Sequence, residues 1–215
     1  MEKDLGNYRV SYDKGSLLEN DLSESPFELF QTWFDEVDRH FKATETNAMT
    51  LSTVGTDGFP KSRVVLLKKF SQKGFVFFTN YESEKGRALI AKPECCLSFH
   101  WEAAERQVII KGIAKKIEAT ESDAYFSSRP KGSQLGALAS KQSRIISNRA
   151  VLDAQLKALE QDYEHKPIKR PEFWGGFRVT AVEVEFWQGR ANRLHDRIRY
   201  KLAANDQWEI DRLSP

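Results

Sequence analysis

The hydrophobic pattern is first helical, between residues 25 and 41. Apolar side chains recur there every three or four positions, which places them on one face of a helix that we expect to be buried. These side chains are Phe27, Phe30, Phe34, Val37 and Phe41. Ser25 is the predicted N-cap, Pro26 takes the first helical position, and Glu28 completes a capping box. The sequence therefore predicts an amphipathic helix that begins at Pro26.

From residue 48 onward, the pattern changes to the alternation of apolar and polar positions that is typical of β-strands. The predicted strands cover residues 48–54, 63–68, 75–79, 95–101, 107–117, 177–187, 198–202 and 208–210. Three further helices are predicted over residues 85–91, 122–128 and 149–163. Short strands with turn signals between them, accompanied by a few helices, favour a mainly β fold: a β-barrel with flanking helices.

Length and composition favour one compact domain. The 215 residues include 14 Phe and 5 Trp, enough for a sizeable core. We predict that residues 25–215 form this domain and that residues 1–24, which are mostly polar, form a mobile N-terminal arm. The net charge of only +2 argues against a protein that binds nucleic acid through bulk charge. No apolar run approaches the ~20 residues of a membrane span and no signal-peptide pattern is present, so we expect a cytoplasmic protein without a membrane partner.

The sequence lacks the motifs of several common cofactor and metal sites. Neither a nucleotide-binding glycine-rich loop nor a zinc-ligand spacing is present. Cys95 and Cys96 are adjacent in an apolar run, so buried strand positions explain them better than metal or redox chemistry. His40, His100 and His165 have no neighbours in the sequence that suggest a ligand set. We therefore predict no metal site.

The densest cluster of chemically active side chains lies at residues 186–197. This segment holds three arginines, one histidine, one aspartate and one tryptophan, directly after a predicted strand. Cations beside a titratable ring suit a planar aromatic ligand that carries negative charge. An exposed basic loop explains the same composition equally well, so the pattern alone leaves both interpretations open.

Two other groups of residues could bind anions. Arg63 and Lys68 stand at the two ends of a predicted strand. Because they are five positions apart, we expect them on opposite faces, where they could serve two anions or simply be solvated. Tyr125 and Arg129 share one face of a helix end, and Ser133 follows, a combination that suits a phosphate monoester. The alternative for this second group is an arginine that complements the dipole of a helix C-terminus.

Taken in order, the motifs of this chain resemble the pyridoxamine 5′-phosphate oxidase family over about residues 8–215. Each motif is weak alone, whereas the ordered set is highly specific. The motifs are RVVLLK at 63–68, ERQV at 105–108, YFSSRP at 125–130, SKQS at 140–143, FWGGFR at 173–178, EFWQG at 185–189, RLHDR at 193–197 and DRLSP at 211–215. The resemblance implies an FMN-binding split β-barrel that works as a homodimer with FMN at the subunit interface.

The resemblance also implies a reaction. The expected enzyme is an FMN-dependent oxidoreductase of vitamin B6 metabolism that acts on a CH–NH₂ group. It would convert pyridoxamine 5′-phosphate and pyridoxine 5′-phosphate to pyridoxal 5′-phosphate. A hydride would pass from the C4′ carbon to N5 of FMN, and dioxygen would reoxidise the flavin and yield hydrogen peroxide. Arg193 and His195 are the implied catalytic residues, placed against the pyridine ring.

Binding residues are implied in the same way. FMN is expected to contact Arg63, Val64, Val65, Leu66, Leu67, Lys68, Phe78, Thr79, Lys85, Gln107, Gln142, Ser143, Trp187 and Arg197. The substrate is expected to contact Arg9, Tyr12, Lys68, Tyr125, Arg129, Ser133, Arg193, Leu194 and His195. In this scheme Arg63 and Lys85 hold the FMN phosphate, whereas Arg129 is one of the residues that hold the substrate phosphate.

The chain departs from the family pattern at Glu84, where an arginine commonly stands beside the phosphate-binding lysine. This exchange removes one cation, so either FMN binds more weakly or a nearby residue compensates. In the arm, Val10 and Ser11 replace residues that are often more polar. Two other functions stay open: a different split-barrel flavoprotein, such as a flavin reductase-like or general-stress protein, and a carrier that binds pyridoxal phosphate or flavin without turnover.

Overall fold

The computed structural model of this chain describes residues 2–8, 10–41 and 45–215. Its helices are α1 (Pro26–His40), α2 (Glu84–Ala91), α3 (Ala119–Ser128), α4 (Lys131–Ala139) and α5 (Arg149–Asp162). Its strands are β1 (Ala48–Val54), β2 (Pro60–Leu66), β3 (Lys69–Ser71), β4 (Gly74–Asn80), β5 (Glu94–Trp101), β6 (Arg106–Lys116), β7 (Trp174–Gln188), β8 (Asp196–Leu202) and β9 (Trp208–Arg212). None of the helices in these ranges is long and apolar enough to cross a membrane.

All strands of the described residues belong to one sheet. Along it the order is β2–β1–β5–β6–β7–β4–β3, and β8 pairs with both β7 and β9. β4 lies antiparallel to the first part of β7, with Phe78 opposite Gly176. β8 lies antiparallel to the last part of β7, with Trp187 opposite Arg197. The long strand β7 therefore supports different neighbours at its two ends.

Contacts along the chain divide it into two compact units. The terminal unit comprises Met1–Met49, Leu97–Lys111 and Ala181–Pro215. The central unit comprises Thr50–Cys96 and Gly112–Thr180. Four strands, β1, β5, β6 and β7, continue from one unit into the other.

In the terminal unit, α1 begins where the sequence predicts. The side-chain oxygen of Ser25 accepts a hydrogen bond from the N–H of Phe27 at 3.3 Å, so Ser25 is the N-cap. The buried residues of the helix, all apolar, are Pro26, Leu29, Phe30, Trp33 and Val37. Phe34 is only partly buried, whereas Trp33 packs edge-on against Phe186 with ring centroids 5.2 Å apart. The buried face is therefore rotated from the predicted one, because the tryptophan and leucine form a second apolar stripe beside the phenylalanines.

In the central unit, a close backbone approach fixes the start of α2. Ser83 caps this helix by accepting a hydrogen bond from the N–H of Gly86 at 3.2 Å. A Cβ atom at Gly86 would collide with the carbonyl oxygen of Tyr81, so only glycine allows the helix to lie this close to the end of β4. The approach determines where Lys85, in the first turn of α2, is held.

Each helix and strand that the sequence predicts is present, with ends shifted by a few residues. Two elements, β3 and α4, were not predicted. β3 has only three residues, too few for an alternation to be recognised. α4 contains Gly132 and Gly136, which lower helix propensity, and it follows directly on a proline that predicted a break. Pro130 is in fact the N-cap residue of this new helix.

Candidate functional site

A cavity of about 690 Å³ lies in the central unit. β2 and the turn after it contribute Arg63, Val64, Val65, Leu66 and Lys68, and β4 and α2 contribute Phe78, Thr79, Asn80 and Lys85. The remaining lining residues are Tyr125, Arg129, Pro130, Ser133, Gln142 and Trp174. We call it the cationic cavity, because the described residues that line it include four cations and no carboxylate. It brings together most of the residues predicted to bind the FMN phosphate, the flavin and the substrate phosphate.

Arg63 and Lys85 are two cations of this cavity that influence each other. Lys85 is only 9% exposed, and burial lowers its pKa, an effect that the nearby Arg63 increases. Burial also lowers the pKa of Arg63, while Glu84 opposes that shift. Arg63 donates hydrogen bonds to neutral acceptors, the hydroxyl of Thr53 at 2.8 Å and the carbonyl of Leu51 at 3.2 Å. Two neighbouring, partly buried cations without a carboxylate between them form a site that favours an anion.

Glu84 occupies the first position of α2, at the edge of this pair. Its carboxylate forms an ion pair with Lys61 at 2.6 Å, and its N–H donates to the hydroxyl of Ser143 at 3.2 Å. Both charged side chains are well exposed, at 59% for Lys61 and 42% for Glu84. Lys61 therefore supplies a positive charge that offsets the acidic group found where the resemblance leads us to expect an arginine.

Three aromatic rings form another part of the cationic cavity. The ring of Phe78 stacks on Tyr125 with centroids 3.9 Å apart and on Trp174 with centroids 5.6 Å apart. The guanidinium of Arg129 lies over the ring of Trp174, 4.7 Å from its centroid. Flat rings beside a stacked cation are suited to a planar ligand that carries negative charge.

Arg129 has a nitrogen that the described residues leave unsatisfied. Its Nη1 is buried and has no hydrogen-bond partner among them, and burial lowers the pKa of this guanidinium. Leaving a buried charged donor unpaired is costly, so an anionic oxygen is the partner this position would accept best. The backbone around Arg129 is fixed by Gln134, whose side-chain amide donates to the carbonyl of Arg129 at 2.8 Å. Ser133, in the first turn of α4, lines the same cavity.

Lys68 lines the same cavity as Arg63. The expectation that they point to opposite faces assumed a regular strand through Lys68, but β2 ends at Leu66. Beyond that point the backbone N–H of Lys68 donates to the carbonyl of Val76 at 2.8 Å. The alternation of faces therefore does not reach Lys68, and both cations contribute to one cavity.

A second cavity, of about 680 Å³, lies in the terminal unit. We call it the imidazole cavity, and it is lined by Tyr8, Val10, Ser11, Tyr12, Trp187, Arg190, Asn192, Arg193 and His195. The rings of Trp187 and His195 lie 4.7 Å apart between centroids, and the ring of Tyr12 is 5.7 Å from each of them. The predicted residues Tyr12, Trp187, Arg193 and His195 are thus brought together here.

The loop after β7 fixes the orientation of His195 and the backbone of Arg193. The N–H of Arg190 donates to Nδ1 of His195 at 3.1 Å, so the neutral imidazole carries its proton on Nε2. Asn192 and Arg193 have φ angles of 56° and 62°, in the left-handed region that is unfavourable for residues with a side chain. Such strain is concentrated at functional sites, where the surrounding structure maintains it.

Several predicted residues line neither cavity. They are Leu67, Gln107, Ser143, Leu194 and Arg197. Arg197 donates a hydrogen bond to Glu185 at 2.8 Å, which raises the pKa of its guanidinium. Arg9, predicted to contact the substrate, lies outside the described residues.

Some residues of the two cavities were missed by sequence reasoning. They are Tyr8, Val10, Ser11, Asn80, Pro130, Trp174, Arg190 and Asn192. Pro130 and Trp174 stand inside two of the motifs, so the motifs themselves carried a signal for them. Arg190 and Asn192 lie in the charged segment at residues 186–197, which the sequence distinguishes only as a whole. Tyr8, Val10, Ser11 and Asn80 lie outside the motifs and outside that segment.

Comparison with known proteins gives two matching family models. Residues 35–162 match the model described as Pyridoxamine 5′-phosphate oxidase. Residues 174–215 match the model described as Pyridoxine 5′-phosphate oxidase C-terminal dimerisation region. A pyridoxine/pyridoxamine 5′-phosphate oxidase of Flavobacterium johnsoniae is 60% identical over 211 residues, which cover 98% of this chain and 99% of that protein. The protein of the same name from Flavobacterium psychrophilum is 57% identical over 99% of this chain and 100% of its own length.

Solved structures show the same likeness. PhzG from Burkholderia lata, in complex with tetrahydrophenazine-1-carboxylic acid, has a TM-score of 0.86 and 30% identity, covering 96% of this chain and 100% of its own. A pyridoxamine 5′-phosphate oxidase-related, FMN binding protein from Nostoc punctiforme has a TM-score of 0.70 and 15% identity, covering 90% of this chain and 100% of its own. At that identity the second likeness concerns the fold alone. The predicted fold class, a mainly β split barrel with flanking helices, is confirmed.

Proposed function

The chain belongs to the pyridoxamine 5′-phosphate oxidase family, and from this premise we propose that it oxidises pyridoxamine 5′-phosphate and pyridoxine 5′-phosphate with FMN as cofactor. The product is pyridoxal 5′-phosphate. Dioxygen accepts the two electrons and two protons and becomes hydrogen peroxide. The amine substrate also consumes one water and releases ammonia, since its oxidation gives an imine that must be hydrolysed.

The arrangement of cations in the cationic cavity is the observation that carries this proposal. Arg63 stands on β2 and Lys85 in the first turn of α2, whereas Arg129 follows α3 and lies over the ring of Trp174. The cations therefore belong to two neighbourhoods within one cavity. FMN and a B6 vitamer each carry a phosphate, and separate cation sets keep the two phosphates from exchanging places.

The first of these neighbourhoods fits the FMN phosphate. Arg63 and Lys85 supply positive charge. Lys85 lies in the first turn of α2, and the backbone N–H groups at this helix N-terminus favour an anion. Val64, Val65 and Leu66 follow Arg63 along β2 and would line the flavin. Gln142 adds a neutral hydrogen-bonding group to the same lining.

The second neighbourhood fits the phosphate of the substrate. Arg129 would direct its unsatisfied Nη1 to a phosphate oxygen, and the hydroxyls of Tyr125 and Ser133 would donate to the others. Lys68 adds a fourth donor group. A phosphate monoester can accept all of these hydrogen bonds at once, which a ligand with a single carbonyl could not.

Arg193 and His195 of the imidazole cavity would orient the pyridine ring. The chemistry that bound FMN supplies is acceptance of a hydride from the C4′ carbon and return of two electrons to dioxygen. Arg193 would present a planar cation to the ring, and His195 would donate from Nε2. We propose that the protein works as a homodimer with FMN at the subunit interface. The match of residues 174–215, which include Arg193 and His195, to a dimerisation region supports this.

Anaerobic reduction tests the proposed function directly. The purified protein, supplied with FMN and freed of oxygen, should lose its flavin absorbance near 450 nm when pyridoxamine 5′-phosphate is added. Admission of oxygen should restore the absorbance and produce hydrogen peroxide. The comparison compound is tetrahydrophenazine-1-carboxylic acid, which is bound in the PhzG structure and carries a carboxylate but no phosphate. Bleaching by that compound alone would indicate a different flavoprotein oxidase, and flavin that no substrate bleaches would indicate a carrier.

Replacing Arg129 with alanine should weaken substrate binding while FMN stays bound. Loss of charge-assisted hydrogen bonds to phosphate costs about 2 kcal/mol, which corresponds to an increase in KM of about 30-fold. Steady-state kinetics with pyridoxamine 5′-phosphate measure this change, and the flavin spectrum of the purified variant reports cofactor retention. Lys131→Ala is the matched control, because Lys131 is the next cation along the chain and does not line the cavity. An unchanged KM for Arg129→Ala would remove this residue from the phosphate site.

A further inference from the structure

Glu105 combines an unfavourable backbone conformation with a buried carboxylate. Its φ angle of 54° lies in the left-handed region, and the residue is only 6% exposed. It ends the short 3₁₀ turn of Glu102–Ala104, directly before β6. Glycine or asparagine is usual at such a position, so a glutamate here indicates that its side chain has a task.

That carboxylate binds the backbone of the N-terminal arm. One oxygen of Glu105 accepts hydrogen bonds from the N–H groups of Asp13 at 2.9 Å and Lys14 at 3.0 Å. The ammonium of Lys14 donates to the carbonyl of Ala103 at 2.8 Å, within the same turn. The carbonyl of Glu105 accepts from the N–H of Gly189 at 2.8 Å. A single residue therefore joins the arm to the end of β7.

The residue next to this attachment is Tyr12, whose ring lies in the imidazole cavity. It packs edge-on against Trp187 and tilted against His195, with 5.7 Å between the centroids in both cases. Gly189 makes the approach possible, since a Cβ there would come within 2.9 Å of the Cβ of Tyr12 and 3.1 Å of that of Glu105. The position of the tyrosine ring is thus coupled to the attachment at Glu105.

A second attachment holds the arm farther along. Asp196 accepts a hydrogen bond from the N–H of Leu17 at 3.0 Å. It also accepts from the guanidinium groups of Arg190 and Arg212, each at 2.9 Å. This attachment does not involve Glu105, so the two ends of residues 12–17 can be released separately.

We propose that Glu105 is a positioning residue that holds Tyr12 against Trp187 and His195. It acts through the N–H groups of Asp13 and Lys14 and touches neither substrate nor cofactor. Its consequence for substrate rests on the proposed function, in which Tyr12 contacts the substrate. The arm segment at residues 12–17 is then already in place before substrate binds, and substrate binding does not have to order it.

Glu105→Gly is the informative variant. Glycine suits the left-handed backbone, so the turn itself should stay folded, while the carboxylate is lost. Amide hydrogen exchange in the protein without substrate should become about tenfold faster at Asp13 and Lys14 and stay unchanged at Leu17. The nuclear Overhauser contact between the rings of Tyr12 and His195 should weaken. KM for pyridoxamine 5′-phosphate should rise about tenfold with kcat and FMN affinity nearly unchanged.

Two comparisons separate positioning from a purely structural role. Glu105→Gln keeps an acceptor oxygen at the same reach and should restore most of the slow exchange and the low KM. A structural role would instead accelerate exchange at Leu17 as well and lower the thermal midpoint. Unchanged exchange at Asp13 and Lys14, or an intact ring contact, would overturn the proposal. The amide exchange and the ring contact are both measured without substrate, so they test the positioning role of Glu105 even if the protein does not oxidise B6 vitamers. Absence of that oxidation would refute only the proposed function.

Discussion

Replacement of Arg193 by alanine is expected to lower kcat by about 100- to 1,000-fold while FMN stays bound. Removal of one preorganised charged group from the reacting centre lowers kcat by about this factor. Arg193 lines the imidazole cavity together with His195, and its backbone has a φ of 62° in the left-handed region. In the proposed reaction it faces the pyridine ring. The loss should therefore appear in turnover rather than in cofactor content. Stopped-flow reduction of the flavin measures it without interference from the oxygen step.

Arg193→Lys is the control for charge alone. It keeps the positive charge but loses the planar group that can lie against a ring, so it should recover only part of the rate. Arg190→Lys is the control for the loop, since Arg190 lines the same cavity while its guanidinium is held by Asp196 at 2.9 Å. Loss of the yellow FMN from Arg193→Ala would show that Arg193 binds FMN and not the substrate.

Mixed dimers test which copy supplies Arg193. Subunits with Arg193→Ala and subunits with Arg129→Ala are each impaired at low substrate concentration. If the site of each flavin combines Arg129 of one copy with Arg193 of the other, a mixed dimer has one intact site of two. Random pairing of equal amounts makes half of the dimers mixed, so about a quarter of all sites recover. If one copy supplies both residues, mixing restores nothing. The measurement is the initial rate after the two variants are unfolded together and refolded.

The sequence predicts the elements of this fold well because their signals are local. Ser25 and Pro26 define the start of α1 by capping alone, and the alternation from Ala48 to Val54 gives β1 with its observed ends. Of the cations of the cationic cavity, Arg63, Lys68 and Arg129 stand in the ordered motifs, and Lys85 was predicted from the family resemblance. Local order and resemblance therefore suffice for Arg63, Lys85 and Arg129.

The remaining features depend on contacts between distant residues. The carboxylate of Glu105 accepts a hydrogen bond from the N–H of Asp13, 92 positions away, and no sequence pattern in either segment predicts this contact. The same holds for Trp174, which is separated in sequence from Phe78 but stacks on it at 5.6 Å. The ion pair of Lys61 with Glu84 was also hidden, since it joins a strand to a helix 23 positions later. Such pairings depend on how segments distant in sequence pack together, which the hydrophobic pattern does not define.

Replacement of Lys85 by methionine is expected to weaken FMN binding by about 30- to 150-fold, the equivalent of about 2–3 kcal/mol for charge-assisted hydrogen bonds to a phosphate. Lys85 is buried beside Arg63, and methionine preserves the length of its apolar stem. The measurement is a titration of the FMN-free protein with FMN, in which the quenching of flavin fluorescence reports binding. It requires no substrate and no turnover.

Replacement of the neighbouring Glu84 should change FMN affinity in the opposite direction. Glu84→Gln removes a negative charge near Arg63 and Lys85, so FMN should bind more tightly, by no more than about fivefold because this side chain is exposed. Lys61→Met leaves Glu84 without its ion-pair partner and should weaken FMN binding by a similar factor. Equal FMN affinities in Lys85→Met, Glu84→Gln and Lys61→Met would place the FMN phosphate elsewhere.

The pH dependence of FMN affinity gives an independent check on Lys85. Burial and the nearby Arg63 lower the pKa of Lys85, so its ammonium loses its proton at a lower pH than an exposed lysine does. Bound phosphate stabilises the ammonium and raises that pKa, so binding takes up a proton once the free group is deprotonated. FMN affinity should therefore fall as the pH rises through the pKa of Lys85 in the free protein toward its higher pKa in the FMN complex. Lys85→Met should remove this slope, whereas Glu84→Gln should keep it and shift it to lower pH, since Glu84 raises the pKa of Lys85. A slope that survives in Lys85→Met would assign the titrating group to another residue.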